Sequence, residues 1–168
     1  MARRLPKRDP IAAYKRQDTA ARRIGVGARC ECGEARPDAL LAGSNPIICA
    51  ECDRKRNGMR IIDGHHVAGE ANDPTTIPVP VNDHRAELSV AQADWPKPTL
   101  ENPDGSPLLA GAGCIRGYVD TTLYLAEKIL LPSAEKLETL DEHLVNEVGP
   151  GWWRDTTLER FLGKKQPK

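Results

Sequence analysis

The sequence predicts an α+β fold, and three observations lead to it. Residues 60 to 94 read as strand, loop, strand and helix in that order. Two tight cysteine pairs stand just before them and read as a small zinc ribbon. On either side lie helical patterns, a basic one before the cysteines and a leucine-rich one after the strands.

A chain of 168 residues suits one domain, or one small domain with an appendage. Apolar residues make up 39% and aromatics only 4%, so the core is modest and a metal staple would help it form. The formal charge of zero hides an uneven distribution. Residues 1 to 29 carry a net +7, the closing KKQPK adds +3, and the middle carries −10. A basic arm on an acidic body suits a polyanionic partner.

The elements follow in order. Asp9 and Pro10 form a helix start, with Asp as N-cap and Pro in the first turn. The helix IAAYKRQDTAARRI then ends at Gly25, and Lys15, Arg16, Arg22 and Arg23 make it cationic. Residues 1–28 thus form a basic N-terminal arm and helix, with Arg16, Arg22 and Arg23 as candidate phosphate contacts. Within the cysteine segment, residues 37 to 41 read as a short helical turn. Arg60 to Val67 reads as a strand, and Asp63 is expected to make a turn with Gly64. Ile77 to Val81 alternates, with prolines that suit an edge strand. Asn82 is a fitting N-cap for a helix to about Asp94, with Leu88, Ala91 and Trp95 on one face. Residues 96 to 103 read as a linker, after which Ser106 and Pro107 restart helix. Ile115, Val119, Leu123, Ala126 and Leu130 recur at helical spacing, and Pro132-Ser133 is expected to break the run. Leu137, Leu140, Leu144 and Val148 form a second stripe, so the two helices should make an antiparallel hairpin. Trp152 and Trp153 are expected to dock the chain end onto it, and the stripe could also serve self-association or a protein partner.

No secretory signal follows the basic start, and TLYLAEKILL is too short and too charged to span a membrane. A cytoplasmic protein with no membrane partner is the expectation.

The cysteines read C-x-C-x16-C-x2-C. Cys30, Cys32, Cys49 and Cys52 supply two ligands from each of two tight turns, which suits tetrahedral structural zinc. Four thiolates close the coordination shell, so this site is structural rather than catalytic. Cys114 reads as a small core residue.

Hydrolysis of a phosphodiester needs a base for water, a cation at the scissile phosphate, and fixed ligands for that cation. Adjacent residues on a strand point to opposite sides. His65 and His66 could therefore divide metal and water between them, and His84 could return from the helix as a second ligand. Asp63 is a spare candidate ligand, Arg85 a candidate phosphate contact, and His143 reads as surface.

With His65-His66, the loop GEANDP, His84 and the cysteine pairs in place, residues 29–95 resemble the ββα-metal finger of HNH (His-Me finger) endonucleases. The resemblance implies nicking or cleavage of DNA with one divalent ion, Mg2+, Mn2+, Ni2+ or Zn2+, beside the structural zinc. It casts His65 as the metal-binding member of the pair, His66 as general base and His84 as the helix ligand. The sequence departs from the pattern twice. Thr75 or Thr76 stands where an asparagine orients the base in many members, so Thr76 is carried as a weak orienting residue. Both cysteine pairs also precede the histidines.

The expected whole is a small zinc ribbon plus ββα-metal finger, flanked by an N-terminal basic helix and, over residues 96–168, a linker and C-terminal helical hairpin with a basic tail. The alternative is a catalytically degenerate zinc protein that binds nucleic acid or serves in assembly.

Overall fold

The computed structural model describes residues 10–161. Asp9, the basic residues before it and the KKQPK tail lie outside them. The chain forms two compact units, Met1–Tyr124 and Leu125–Lys168. Among the described residues it is a mixed α+β structure with many helices and one two-stranded sheet.

In the first unit, α1 (Pro10–Ile24) stops at Gly25, whose φ of 109° is open to glycine. The cysteine segment follows, then α2 (Ala50–Arg56). The strands β1 (Ile62–His66) and β2 (Thr76–Pro80) pair antiparallel, with Ile62 opposite Pro80 and His66 opposite Thr76. Both are edge strands, which is why two prolines fit in β2. The chain turns directly from β2 into a helical run of α3 (Val81–Asp83), a π turn π1 (His84–Leu88) and α4 (Ser89–Ala93). Val79 and Leu88 pack with Tyr124, which seats this run on the sheet.

A second apolar cluster joins Cys30, Leu40, Ile48 and Cys49, with Ile24 of α1 against it. Arg36 ties the two regions together. Its guanidinium pairs with Glu34 at 2.7 Å, Asp83 at 2.8 Å and Glu87 at 2.9 Å. The Glu34 carboxyl is held down to about 2, chiefly by its hydrogen bonds from Arg36.

Several elements differ from expectation. Asn82 does not cap its own helix, which begins at Val81. Its buried side chain accepts from the Glu51 N–H at 3.1 Å, and Glu51 Oε1 accepts from the Asn82 N–H at 3.2 Å. The two residues thereby join the N-termini of α2 and α3.

The expected linker holds a short helix, α5 (Lys97–Glu101), closed by Asn102 with φ 37°. The Asn102 side-chain Oδ1 then accepts from the Ser106 N–H at 2.8 Å, and the chain leads into α6 (Pro107–Leu125). Three glycines weaken helix propensity in α6, yet the helix forms. A Cβ on Gly113 would meet the Ala68 carbonyl at 2.7 Å, and one on Gly117 would overlap the Val67 carbonyl. These glycines let the helix lie against the loop after β1. The Trp95 indole donates to buried Asp120 on α6 at 2.8 Å. Cys114 is exposed on α6 and is not a core residue.

In the second unit no turn forms at Pro132-Ser133, so the expected antiparallel hairpin is absent. A π turn, π2 (Ala126–Leu130), runs straight into α7 (Leu131–Val148). The Leu131 N–H reaches back to Ala126, five residues away. That wider register makes room for the proline ring and absorbs its missing donor. Leu137, Leu140 and Val148 of α7 are exposed rather than forming a core. His143 is exposed as expected, and the Trp152 indole donates to Asp141 of α7 at 2.8 Å. A last short helix is α8 (Thr157–Phe161). No described helix is long and apolar enough to cross a membrane.

Candidate functional site

The four cysteines converge as their spacing predicts. The first pair lies on a tight turn in which the Gly33 N–H donates to the Cys30 carbonyl at 2.9 Å, with Gly33 at φ 95°. The second pair lies at the start of α2. Cys49 is its N-cap, and its sulfur accepts from the Cys52 N–H at 3.4 Å. An antiparallel bridge between Leu40 and Cys49 holds the returning chain.

All four Sγ atoms lie within 4.8 Å of one another, and Cys32 Sγ stands 3.6 Å from Cys49 Sγ. Tetrahedral zinc with Zn–S near 2.3 Å requires sulfurs about 3.8 Å apart. Burial opposes ionisation of Cys30, yet backbone N–H groups and neighbouring thiols bring it down to about 7. Burial and the adjacent sulfurs push Cys52 well up. Four thiolates this close repel one another unless a cation balances them. Cys30, Cys32, Cys49 and Cys52 could therefore hold a metal ion such as zinc.

The histidines gather around the end of β1. His65 is 1% exposed, and its ring centroid lies 5.2 Å from that of His84, edge to face. Two imidazoles sharing one ion, with metal–nitrogen distances near 2.1 Å, need centroids about 5 Å apart. Nδ1 of His65 is buried and has no hydrogen-bond partner. His84 Nδ1 stands 3.2 Å from Asp63 Oδ2, which leaves Nε2 as its open nitrogen. The residues fit a divalent ion held by two imidazoles. Among the described residues, no third His, Cys, Asp or Glu completes a compact ligand set there.

His66 is half-buried, with Nδ1 likewise unpartnered. Thr76 lies opposite it in the register but makes no side-chain hydrogen bond among the described residues. Its hydroxyl instead sits over Gly64, 3.2 Å from where a Cβ would be. Thr75 donates its backbone N–H to Asp73 Oδ1 at 2.7 Å. Among the described residues, neither threonine is hydrogen-bonded to an imidazole.

Sequence reasoning gave Asp63 a different place and role, and missed Gln92. Asp63 lies within β1 rather than in a turn, and its carboxylate bridges Arg54 at 2.7 Å and His84 at 3.2 Å. Burial opposes its charge, but Arg54 and His84 still hold its carboxyl below the usual range. The signal was present, because residues 63 and 65 share a face in any strand. Gln92, on α4, brings its amide to 2.5 Å from the His66 carbonyl and 3.4 Å from His65 Nε2. No local pattern announces that contact.

A cavity of about 340 Å³ opens beside His84, lined by Arg54, Met59, Asp63, Arg85 and Ser89 among others. Arg85 is exposed and donates from Nε to the Asp38 carbonyl at 3.1 Å. Of the expected phosphate contacts on α1, Arg16 is ion-paired with Asp94 and Arg22 with Asp18, while Arg23 is exposed.

Burial, together with the neighbouring His84 and His66, pulls His65 from 6.5 down to about 4. The fold favours the neutral ring. Its contribution to stability is whole above 6.5 and is lost as pH falls toward 4. Urea unfolding should therefore weaken between about pH 7 and about pH 5 by more in the wild type than in His65→Gln, by at most about 2 kcal/mol. Parallel stability curves for the two proteins would remove the effect. Glu34 acts in a lower window, losing its contribution as pH falls from 4.5 toward 2.

Comparison with protein-family models, with curated proteins and with solved structures gave no match.

Proposed function

We propose that this chain is a metal-dependent HNH-type endonuclease that nicks or cleaves DNA, with a structural zinc at Cys30, Cys32, Cys49 and Cys52. One observation carries the reading. His65 and His66 end a strand that pairs with a second strand, and the helix run entered from that second strand sets His84 5.2 Å from His65. Strand, strand and helix thus bring His65 and His84 together, with His66 next to His65 in the chain, and this order supports the reading of a ββα-metal finger.

A divalent ion bound there supplies charge to the scissile phosphate and the leaving oxygen. His65 and His84 are the residues that would hold it. His65 is suited because burial keeps it neutral, the form that ligates. Asp63 fixes the ring of His84 through Nδ1, and Arg54 fixes Asp63. His66 takes the proton from the attacking water. Arg54 and Arg85 line the cavity beside His84 and are the cationic groups there suited to a phosphate.

Nicking of supercoiled plasmid in Mg2+, Mn2+ or Ni2+ tests the proposal. Cleavage that needs added metal and stops with chelator at intact zinc content is the expected result. The alternative, a DNA-binding protein without hydrolysis, is favoured by the absence of any hydrogen bond from Thr76 to His66. Wild-type inactivity in all three metals, with salt-sensitive DNA binding retained, would select it. Loss of both activities would leave an assembly role.

A further inference from the structure

We propose that Gln92 is the positioning residue for the histidine pair, supplying from the helix the side-chain amide that the strand lacks at Thr75 and Thr76. This rests on the nuclease reading for its catalytic consequence, but the contact itself does not.

Gln92 lies two turns beyond His84 on the same helical run, so it returns to the same face. Its Nε2 donates to the His66 carbonyl at 2.5 Å, stands 3.4 Å from the Val67 carbonyl, and lies 3.4 Å from Nε2 of His65. The site of contact matters. His66 and Thr76 are the last pair of the two-stranded ladder. Beyond them the chain leaves the sheet, and the Gly69 N–H donates to the same His66 carbonyl at 3.1 Å. A carbonyl held by two donors fixes its peptide plane, and with it the direction in which the His66 side chain leaves the backbone. Thr76 is placed to assist but makes no side-chain bond, and no other side chain donates to this carbonyl among the described residues. At His65 the same amide stands 3.4 Å from Nε2, close enough to limit rotation of the ring. One side chain thus holds the His66 backbone and lies against the His65 ring.

A misplaced base costs rate far more than it costs stability. A displacement of about 1 Å can lower a rate by about 100-fold, whereas one hydrogen bond changes stability by only about 1 kcal/mol.

The test uses the full-length protein with 15N-labelled histidine. In Gln92→Leu, the ring nitrogen signals of His65 and His66 should move or broaden, while His143 stays put and zinc content and melting stay near wild type. Single-turnover nicking should fall by about 10- to 100-fold with DNA affinity unchanged. Unmoved ring signals in the folded variant would overturn the assignment, whatever its activity. Altered ring signals with wild-type nicking would also overturn it, by removing the catalytic consequence. If the wild type nicks no DNA in any metal, the nuclease reading fails, and the ring signals alone decide whether Gln92 positions the pair. Should Gln92→Leu not fold, Gln92→Glu, which keeps the shape but cannot donate, is read in the same way.

Discussion

Replacing Cys49 with serine is expected to unfold the first unit and release the zinc proposed for the four cysteines. Cys49 is fully buried, its sulfur caps α2, and it belongs to the cluster of Cys30, Leu40 and Ile48. Structural zinc contributes about 10 to 16 kcal/mol of apparent binding energy in small domains. A whole domain is stable by only about 5 to 15 kcal/mol, so loss of the ion exceeds what remains. The consequence extends beyond the cysteines. When α2 frays, Glu51 releases Asn82, and Arg54 releases Asp63, which holds His84. Circular dichroism melting and metal analysis read the result directly. Exposed Cys114, replaced by serine, should change neither and serves as the control. A Cys49→Ser protein that melts like wild type with one zinc bound would remove the zinc assignment.

On the proposed nuclease reading, His66→Ala should abolish nicking while leaving the fold, the metal of the cysteine site and DNA affinity in place. General-base catalysis contributes about 100- to 10,000-fold, so the single-turnover rate should fall by at least about 100-fold. Folding is spared because His66 is only half-buried at the end of its strand, unlike His65, which is enclosed. Removing His65 should therefore damage stability as well as metal binding, and only the His66 change isolates chemistry. Wild-type rates in His66→Ala would show that another group accepts the proton, and would withdraw the catalytic role of the pair.

The contrast between the two histidines was legible from strand alternation alone. So was the pairing of β1 with β2 around a loop, and the helix that follows. The cysteine convergence was equally legible, because ligand pairs in tight turns specify local geometry whatever the rest of the chain does. Asp63 could have been read by the same alternation, since residues two apart share a face with His65. A turn assignment from its neighbour Gly64 obscured it. Asn82 misled in the opposite way. It is a good cap by type, but it is buried against Glu51 of another helix, and that contact claims its side chain.

The sequence by itself determined the elements whose reasons are local: α1 with its glycine stop, the two cysteine turns, the strand carrying His65 and His66, and the helix restart at Ser106-Pro107. Only the tertiary structure decided the rest. Gly113 and Gly117 count against a helix until the loop carbonyls of Ala68 and Val67 are seen to need their space. Pro132 counts as a break until the preceding π turn is seen to accommodate its ring. Gln92 is an ordinary helix surface residue in sequence, and becomes the donor to His66 because α4 lies across the end of β1. In each case the deciding partner lies on another element or outside the ordinary helical register, where period and propensity carry no information. Ligand types were therefore readable in the chain, while the groups that orient them were set by packing.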